Sequence, residues 1–405
     1  MTPPLSPPGA SRRMLPLICA AAFLVFTQTF MVAPLIPRLT RAFASHAAWV
    51  GLAIPAYVVP QALATLLIGP LSDRFGRRRI ILACLGIFVV VTALTATSRT
   101  IDTFIAWRVA AGLAAAGIVP IGLTLIGDEV PFARRGKAVG WLFGAIAGGT
   151  ATGAAVGALL EPVIGWRSLF LVVSAASTLV ALALAIGHAL PRRGGTRDRL
   201  DWAGLVTGYR WLAGQARARR TYAFVLVNAI LQSGVFTWLA VFLHRHYGLD
   251  ETGIGLALLG YGVPGLLLGA VIGRIADRFG RARIIPVGIA LTGLCTLAFA
   301  LPLPLAGTRV AIVALSLGFD LTQPLLAAIA TDLGGGRGQA VAVMAFSLFA
   351  GFGLGSLLFE AALTTGFDTA FTLFALAAFV AAASARRAFR DERPASHPAA
   401  SHPAP

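Results

Sequence analysis

The stretch "GPLSDRFGRRRI", residues 69–80, holds five charges (Asp73, Arg74, Arg77, Arg78 and Arg79) in a chain of 405 residues that is 57% hydrophobic and only 12% charged. A near copy, "GRIADRFGRARI", stands at residues 273–284, and long apolar runs enclose both. Gly69, Asp73, Arg74, Phe75, Gly76, Arg77, Arg79, Ile80 and Ile81 return 204 residues later as Gly273, Asp277, Arg278, Phe279, Gly280, Arg281, Arg283, Ile284 and Ile285. The same offset pairs Pro120 with Pro324 and Asp128 with Asp332. After a change in loop length, Gly153 and Gly157 match Gly351 and Gly355. The chain therefore reads as two copies of one unit.

The apolar runs set the class. A helix rising 1.5 Å per residue needs about 20 residues to cross a hydrocarbon layer of roughly 30 Å. Hydropathy gives twelve such spans, at residues 14–38, 47–71, 79–98, 102–126, 138–160, 168–190, 222–243, 252–273, 283–303, 309–331, 339–362 and 367–385. The expected fold is an all-α membrane protein, with twelve transmembrane helices in two pseudo-symmetric six-helix bundles. The bundles take residues 12–190 and 222–387, joined by a central loop at 191–221, with disordered tails at 1–11 and 388–405. The opening "SRRMLPLICAAAF" superficially resembles a twin-arginine export signal, but eleven further spans follow, so it reads as the first helix.

Basic residues orient the chain. With the N-terminus in the cytoplasm, only Arg38, Arg41, Arg99, Arg167, Arg245 and Arg309 fall in outer loops, and Arg108 lies inside a span; the other 26 of 33 Lys and Arg face inward. The positive-inside rule then places both termini and the central loop in the cytoplasm of a multi-pass protein. The formal charge of +17 is mostly this topology signal and not a nucleic-acid footprint, with contact to anionic lipid as a by-product. The expected location is a bacterial inner (plasma) membrane, since arginine supplies 32 of the 33 basic residues and that bias fits a GC-rich genome. Within the central loop, "GLVTGYRWLAGQARARR" reads as an interfacial amphipathic helix with Leu205, Tyr209 and Leu212 on one side, or more simply as a solvated tether. Cys19, Cys84 and Cys295 sit singly in apolar runs as core residues, so no disulfide, metal site or cofactor is expected.

The pattern G-x-x-x-D-R-x-G-R-R after the second of twelve helices, repeated in the second half, resembles the signature of the major facilitator superfamily. The resemblance is to its twelve-helix drug:proton antiporter and sugar-efflux-like permease branch, and it covers roughly residues 12–387. It implies that Gly69, Asp73, Arg74, Gly76 and Arg77, with Gly273, Asp277, Arg278, Gly280 and Arg281, form a conformational latch that holds the cytoplasmic side closed. Physically, Gly69 permits close helix approach, Gly76 permits a tight turn, and Asp73 can pair with an arginine or a helix N-terminus.

Charge inside the membrane costs roughly 2.5–3.5 kcal/mol at a helix centre and defaults to function. Asp320, in "GFDLTQP", lies about ten residues, roughly 15 Å, from each end of its span. It is the candidate proton carrier or substrate-cation contact, against a structural salt bridge or helix–helix hydrogen bond. Pro324, one turn on, frees a backbone carbonyl. Arg108, in "WRVAAGLAAAG", resembles the family's R-x-x-x-G motif of the fourth helix, with Gly112 and Gly117 following, which implies proton coupling. An anion contact or outward snorkelling are the alternatives for it. In the fifth helix Gly140, Gly149, Gly153 and Gly157 fit the frame of the antiporter signature, although Ala154 and Ala158 replace its proline and last glycine. The plain reading of those glycines is a close packing face.

Candidate cavity residues are Thr27, Gln28, Tyr57, Gln61, Trp141, Asn228, Gln232, Trp238, Tyr261, Gln323 and Phe346, a set suited to amphiphilic compounds. Glu161 and Glu360 read as interfacial. The expected activity is export of a small organic compound, a drug or metabolite, by proton antiport with alternating access. The alternative is a facilitative or proton-coupled importer of a small polar or anionic metabolite. The expected partners are a small-molecule substrate, protons and the lipid bilayer, with no nucleic acid, and the chain is expected to act as a monomer. Its six histidines are scattered and no acid cluster joins them, so no enzyme site is expected. A non-transporting sensor on the same scaffold would bind without flux.

Overall fold

The structure, a computed structural model, describes residues 10–187, 189–191, 202–333 and 337–392. Every regular element among them is an α-helix. The first span is α1 (Ala10–Phe30) and α2 (Val32–Ala42), parted where Pro34 offers no N–H to the carbonyl of Phe30. A short α3 (Ala47–Gly51) leads through a second break into α4 (Pro55–Phe75), then α5 (Arg77–Thr95). The fourth span is α6 (Ile101–Ala115) with α7 (Ile118–Glu129). The 55-residue α8 (Phe132–Ile186) supplies the fifth and sixth spans, turning back at Pro162 and Gly165, where φ is +77°.

The central helix α9 (Trp202–Gly214) precedes α10 (Ala216–Tyr247). The eighth span is split into α11 (Glu251–Leu258) and α12 (Val263–Phe279). The last four are α13 (Arg281–Phe299), α14 (Leu305–Thr331), α15 (Arg337–Leu363) and α16 (Phe367–Ala388). Ten stretches are long and apolar enough to cross a membrane unaided. The bend in α8 makes one of them two, and the broken pair α11–α12 completes the twelve.

Helix contacts show the repeat in three dimensions. Glycines at 149, 153 and 157 bring α8 onto α1: a Cβ there would stand 2.3 Å from the Phe23 carbonyl oxygen, 2.5 Å from that of Thr27 and 2.5 Å from that of Met31. In the second copy Gly351 and Gly355 bring α15 onto α10 in the same way, against Leu226 and Ile230. The plain reading of the fifth-helix glycines is thus what the backbone shows. Gly76 and Gly280 turn the chain with φ of +90° and +81°, the left-handed region that glycine tolerates.

Two seams join the bundles, α4 against α15 and α8 against α12. At the end bearing the charged loops (the basic end), a Cβ on Gly69 would meet the Gly338 carbonyl oxygen at 3.1 Å. At the opposite end Gly255 fits against Leu159 and Ala158. Between them, Phe26 and Phe30 meet Phe236, Phe349 and Phe352 with ring centroids 5.8–6.3 Å apart. The bundles therefore touch near both ends and in between.

The central loop is more than a tether. Leu205 and Leu212 of α9 are buried, the Tyr209 hydroxyl donates to the Leu66 carbonyl at 2.6 Å, and Gly208 lies against the Gln339 side chain. Leu66 belongs to one bundle and Gln339 to the other, so α9 straddles their seam at the basic end. Burial pushes the Tyr209 hydroxyl up to about 12.

Candidate functional site

At the basic end, the doubled sequence becomes a doubled ion pair. Arg77 pairs with Asp128, and 204 residues on Arg281 Nη1 donates to Asp332 Oδ2 at 2.8 Å. Each contact ties the loop after the second helix of a unit to the end of its fourth. Arg77 also reaches Asp73 at 3.3 Å, and Asp73 Oδ2 would stand 3.1 Å from a Cβ on Gly338, at the first turn of α15. Asp73 therefore has an arginine partner and lies beside the first turn of a helix from the other bundle. Arg74 is half-buried, with its guanidinium 5.0 Å from the Phe75 ring centre. The surroundings of Gly273 and the side chains of Asp277 and Arg278 lie outside what the structure describes.

Arg108 does not snorkel: it is 0% exposed. Nε donates to the Ala53 carbonyl at 2.9 Å, Nη1 to the Gln28 carbonyl at 3.2 Å and to Gln28 Oε1 at 2.8 Å, and Nη2 to the Thr29 carbonyl at 3.2 Å. Its guanidinium lies 4.4 Å from the centre of the Tyr57 ring. The carbonyls come from the two helix breaks. Tyr57 N–H turns to Ile54, not Ala53, so the Ala53 oxygen is open to Arg108. Gly112, one turn along the same face, permits the approach, since a Cβ there would lie only 2.0 Å from the Tyr57 carbonyl oxygen. Four of the five guanidinium N–H groups are committed to the first bundle, which leaves little with which to bind an anion.

Asp320 occupies the opposite kind of place. It is 4% exposed on α14, and among the described residues no Lys or Arg pairs with it. Ser316 Oγ donates to its Oδ2 at 3.1 Å and accepts the N–H of Gly262 at 3.0 Å. Gly262, with φ +81°, is the last residue of the break before α12, so the carboxylate sits by the positive end of a 17-residue half-helix. Gly265 forms its bed. A Cβ there would come within 2.7 and 2.8 Å of the two carboxylate oxygens and 2.9 Å of Ala147 in the other bundle. Pro324 lies inside α14 without breaking it.

Next to Asp320 in sequence, Phe319 joins a cavity shared by the bundles. Phe30, Ile146, Ala147 and Thr150 close one side, and Gln232, Ser233, Phe236, Tyr261, Phe319 and Phe352 the other. All ten are buried, and the volume is about 20 Å³, room for about one water. Of the residues expected to line a cavity, Gln232 and Tyr261 do, and Gln232 Nε2 donates to the Tyr261 hydroxyl.

The others lie elsewhere. Gln28 and Tyr57 serve Arg108. Asn228 Nδ2 donates to Gln323 Oε1 at 3.1 Å, a pair about one turn from Gln232 and Asp320 toward the basic end. Gln61 is buried on α4, away from the cavity. Two expectations are corrected. Trp141 is 45% exposed and faces outward, because α8 turns its glycine side to α1. Trp238 donates its indole N–H to the Ser356 carbonyl at 3.2 Å and so clamps α10 to α15. Glu161 is buried and takes Arg38 Nε at 2.8 Å; it is structural. Phe30, Phe236, Phe319 and Phe352 were invisible in sequence because a phenylalanine in an apolar run carries no facing signal.

Comparison with known proteins agrees with this architecture. The model of the Major Facilitator Superfamily matches residues 18–356 and 245–404. An uncharacterized MFS-type transporter, YwfA of Bacillus subtilis (strain 168), is 28% identical over 295 residues, 70% of this chain and 71% of its own length. The chloramphenicol resistance protein of Streptomyces lividans is 28% identical over 87% of this chain and 89% of its own. The human organic anion transporter MFSD10 shares the fold with a TM-score of 0.74, covering 94% of this chain and 100% of that one at 17% identity. With a doubled six-helix unit, a doubled Arg–Asp contact and a family match along nearly all of its length, the chain belongs to the Major Facilitator Superfamily of membrane transporters.

Proposed function

We propose that this protein exports small organic compounds in exchange for protons, the two bundles rocking about the shared cavity. One observation carries the reading: a buried carboxylate, Asp320, without a cation partner among the described residues, at the seam where α12 meets α8. An ionised group there is costly away from water, and a proton removes the charge. A difference of roughly 2.5–3.5 kcal/mol between the two forms would shift a two-state equilibrium by about two orders of magnitude, enough to link protonation to which end opens. The latch would be the Arg77, Asp73 and Asp128 contacts with Gly69 against Gly338, on what the basic loops make the cytoplasmic side. To open there, α9 would have to leave Leu66 or Gln339.

The name of the Streptomyces lividans relative, a chloramphenicol resistance protein, supports export over import. The commitment of four of the five Arg108 N–H groups argues against an anionic substrate held by that residue. The test is transport in proteoliposomes under an imposed pH gradient, with a phenicol as probe, for wild type and Asp320→Asn. Wild type will move the phenicol against its gradient as protons return, and Asp320→Asn will permit only exchange. Flux indifferent to the pH gradient in both proteins refutes the reading.

A further inference from the structure

The 204-residue offset reaches into the core. Gln28 and Tyr57 of the first unit return as Gln232 and Tyr261, while Arg108 returns as Ile312 and Ala116 as Asp320. In the first unit the Gln–Tyr pair is a cation site already filled: the Arg108 guanidinium rests 4.4 Å from the Tyr57 ring centre and 2.8 Å from Gln28 Oε1. In the second unit the same pair faces the shared cavity. Ile312 is buried on α14 and offers no cation, and Gln232 Oε1 has no hydrogen-bond partner among the described residues although Gln232 is only 3% exposed. Phe236 stands with its ring centroid 4.1 Å from that of Tyr261, and this aromatic pair lines the same cavity as Gln232. Asp320 adds a negative charge two turns along α14 from Ile312.

We infer that the cavity recognises organic cations bearing a guanidinium or amidinium group, held by Gln232 and Tyr261 as Arg108 is held by Gln28 and Tyr57. A planar cation suits this site. It stacks on rings and donates N–H groups to an amide oxygen, which a neutral amide of the same shape does with less electrostatic gain. Entry requires the bundles to part, because the closed cavity holds about one water. The inference rests on the cavity being the transport site of the proposed function.

The experiment is equilibrium binding to the purified full-length protein, with benzamidine and phenylguanidine as probes and benzamide and phenylurea as their neutral counterparts. Wild type will bind the cations at least tenfold more tightly than the neutral compounds. Gln232→Glu, which places a carboxylate where the orphan oxygen stands, will tighten the cations about tenfold further, an effect a merely structural glutamine would not give. Ile312→Arg will supply a tethered guanidinium and weaken the cations more than tenfold. Should that variant not fold, Gln232→Glu decides alone.

Equal binding of cations and neutral compounds, or no response to Gln232→Glu, overturns the inference even where pH-driven phenicol transport is intact. Selective cation binding with no proton-driven flux of any probe upholds it, and the export reading then fails by itself.

Discussion

Alanine at position 265 will disable Asp320 without altering it. The new Cβ would stand 2.7 Å from one carboxylate oxygen, 2.8 Å from the other and 2.9 Å from the Ala147 Cβ. Carbon–carbon contacts settle at about 3.5–4.0 Å, so Ala147 must withdraw by at least about 0.6 Å and the carboxylate by a similar amount. A retreat of that size stretches the Ser316 hydrogen bond from 3.1 Å beyond useful length. Overpacking of this kind costs typically about 1–3 kcal/mol. Because Ala147 belongs to the opposite bundle, parting the α8–α12 seam relieves that part of the strain, and the equilibrium shifts toward the parted form by at least about 5-fold, the equivalent of roughly 1 kcal/mol.

The assay is maleimide labelling of Ala158→Cys, a buried position where α8 meets α11 of the other bundle, in a background without the three native cysteines. Gly265→Ala will raise the labelling rate from the end opposite the charged loops and abolish pH-driven transport. Wild-type labelling together with full transport would refute the role given to Gly265.

Two further outcomes follow from local geometry. Gly112→Ala drives a Cβ to 2.0 Å from the Tyr57 carbonyl oxygen and will lower the thermal midpoint in detergent by an amount equivalent to about 1–3 kcal/mol, whereas Gly86→Ala, with nothing within 4 Å, will leave it unchanged or raise it. At the C-terminal end, burial pushes Glu392 up, but hydrogen bonds from Arg217 at 2.6 and 2.9 Å and the charges of Arg217, Arg220 and Arg281 outweigh it and hold the carboxyl below its ordinary range. A depressed acid stabilises above its unfolded value and loses that contribution as pH falls through the folded one. Hydrogen exchange will therefore find the segment 386–392 protected at pH 7 and released only in acid below the ordinary glutamate range, and Glu392→Gln will release it at pH 7.

The fold was legible because two independent periodicities agree: spans of about 20 apolar residues, and a charged patch repeated at 204. Asp320 and Arg108 were legible for the same reason, since a charge inside an apolar run has few innocent explanations. Their environments were not. That Arg108 is enclosed by three carbonyls depends on helix breaks near Met31 and Leu52, beside Pro34 and Pro55, which have no N–H to continue the helix. That Asp320 has a bed depends on the missing side chain of Gly265 on another helix. Trp141 failed as a cavity residue because polarity marks what a side chain can do and not which way its helix is turned. The docking of α9 was half legible: the stripe of Leu205, Tyr209 and Leu212 suggested an interface, and only packing showed that it lies on both bundles and not on lipid alone.

The two units differ in an instructive way. Around its second and fourth helices the first unit has Gln61 and Ala116, and the second has Gly265 and Asp320 at the same offset. The polar side chain has moved from one helix to its neighbour, with a small residue at the matching position each time. With the change comes Gly112 to Ser316, which supplies the hydroxyl on Asp320, and Arg108 to Ile312, which removes the cation that would neutralise it. The first unit therefore carries a charge bound by its own backbone, and the second a buried carboxylate with no cation partner among the described residues. In the proposed exchange of substrate for protons, the first half would be the rigid one and the second the half whose charge a proton changes.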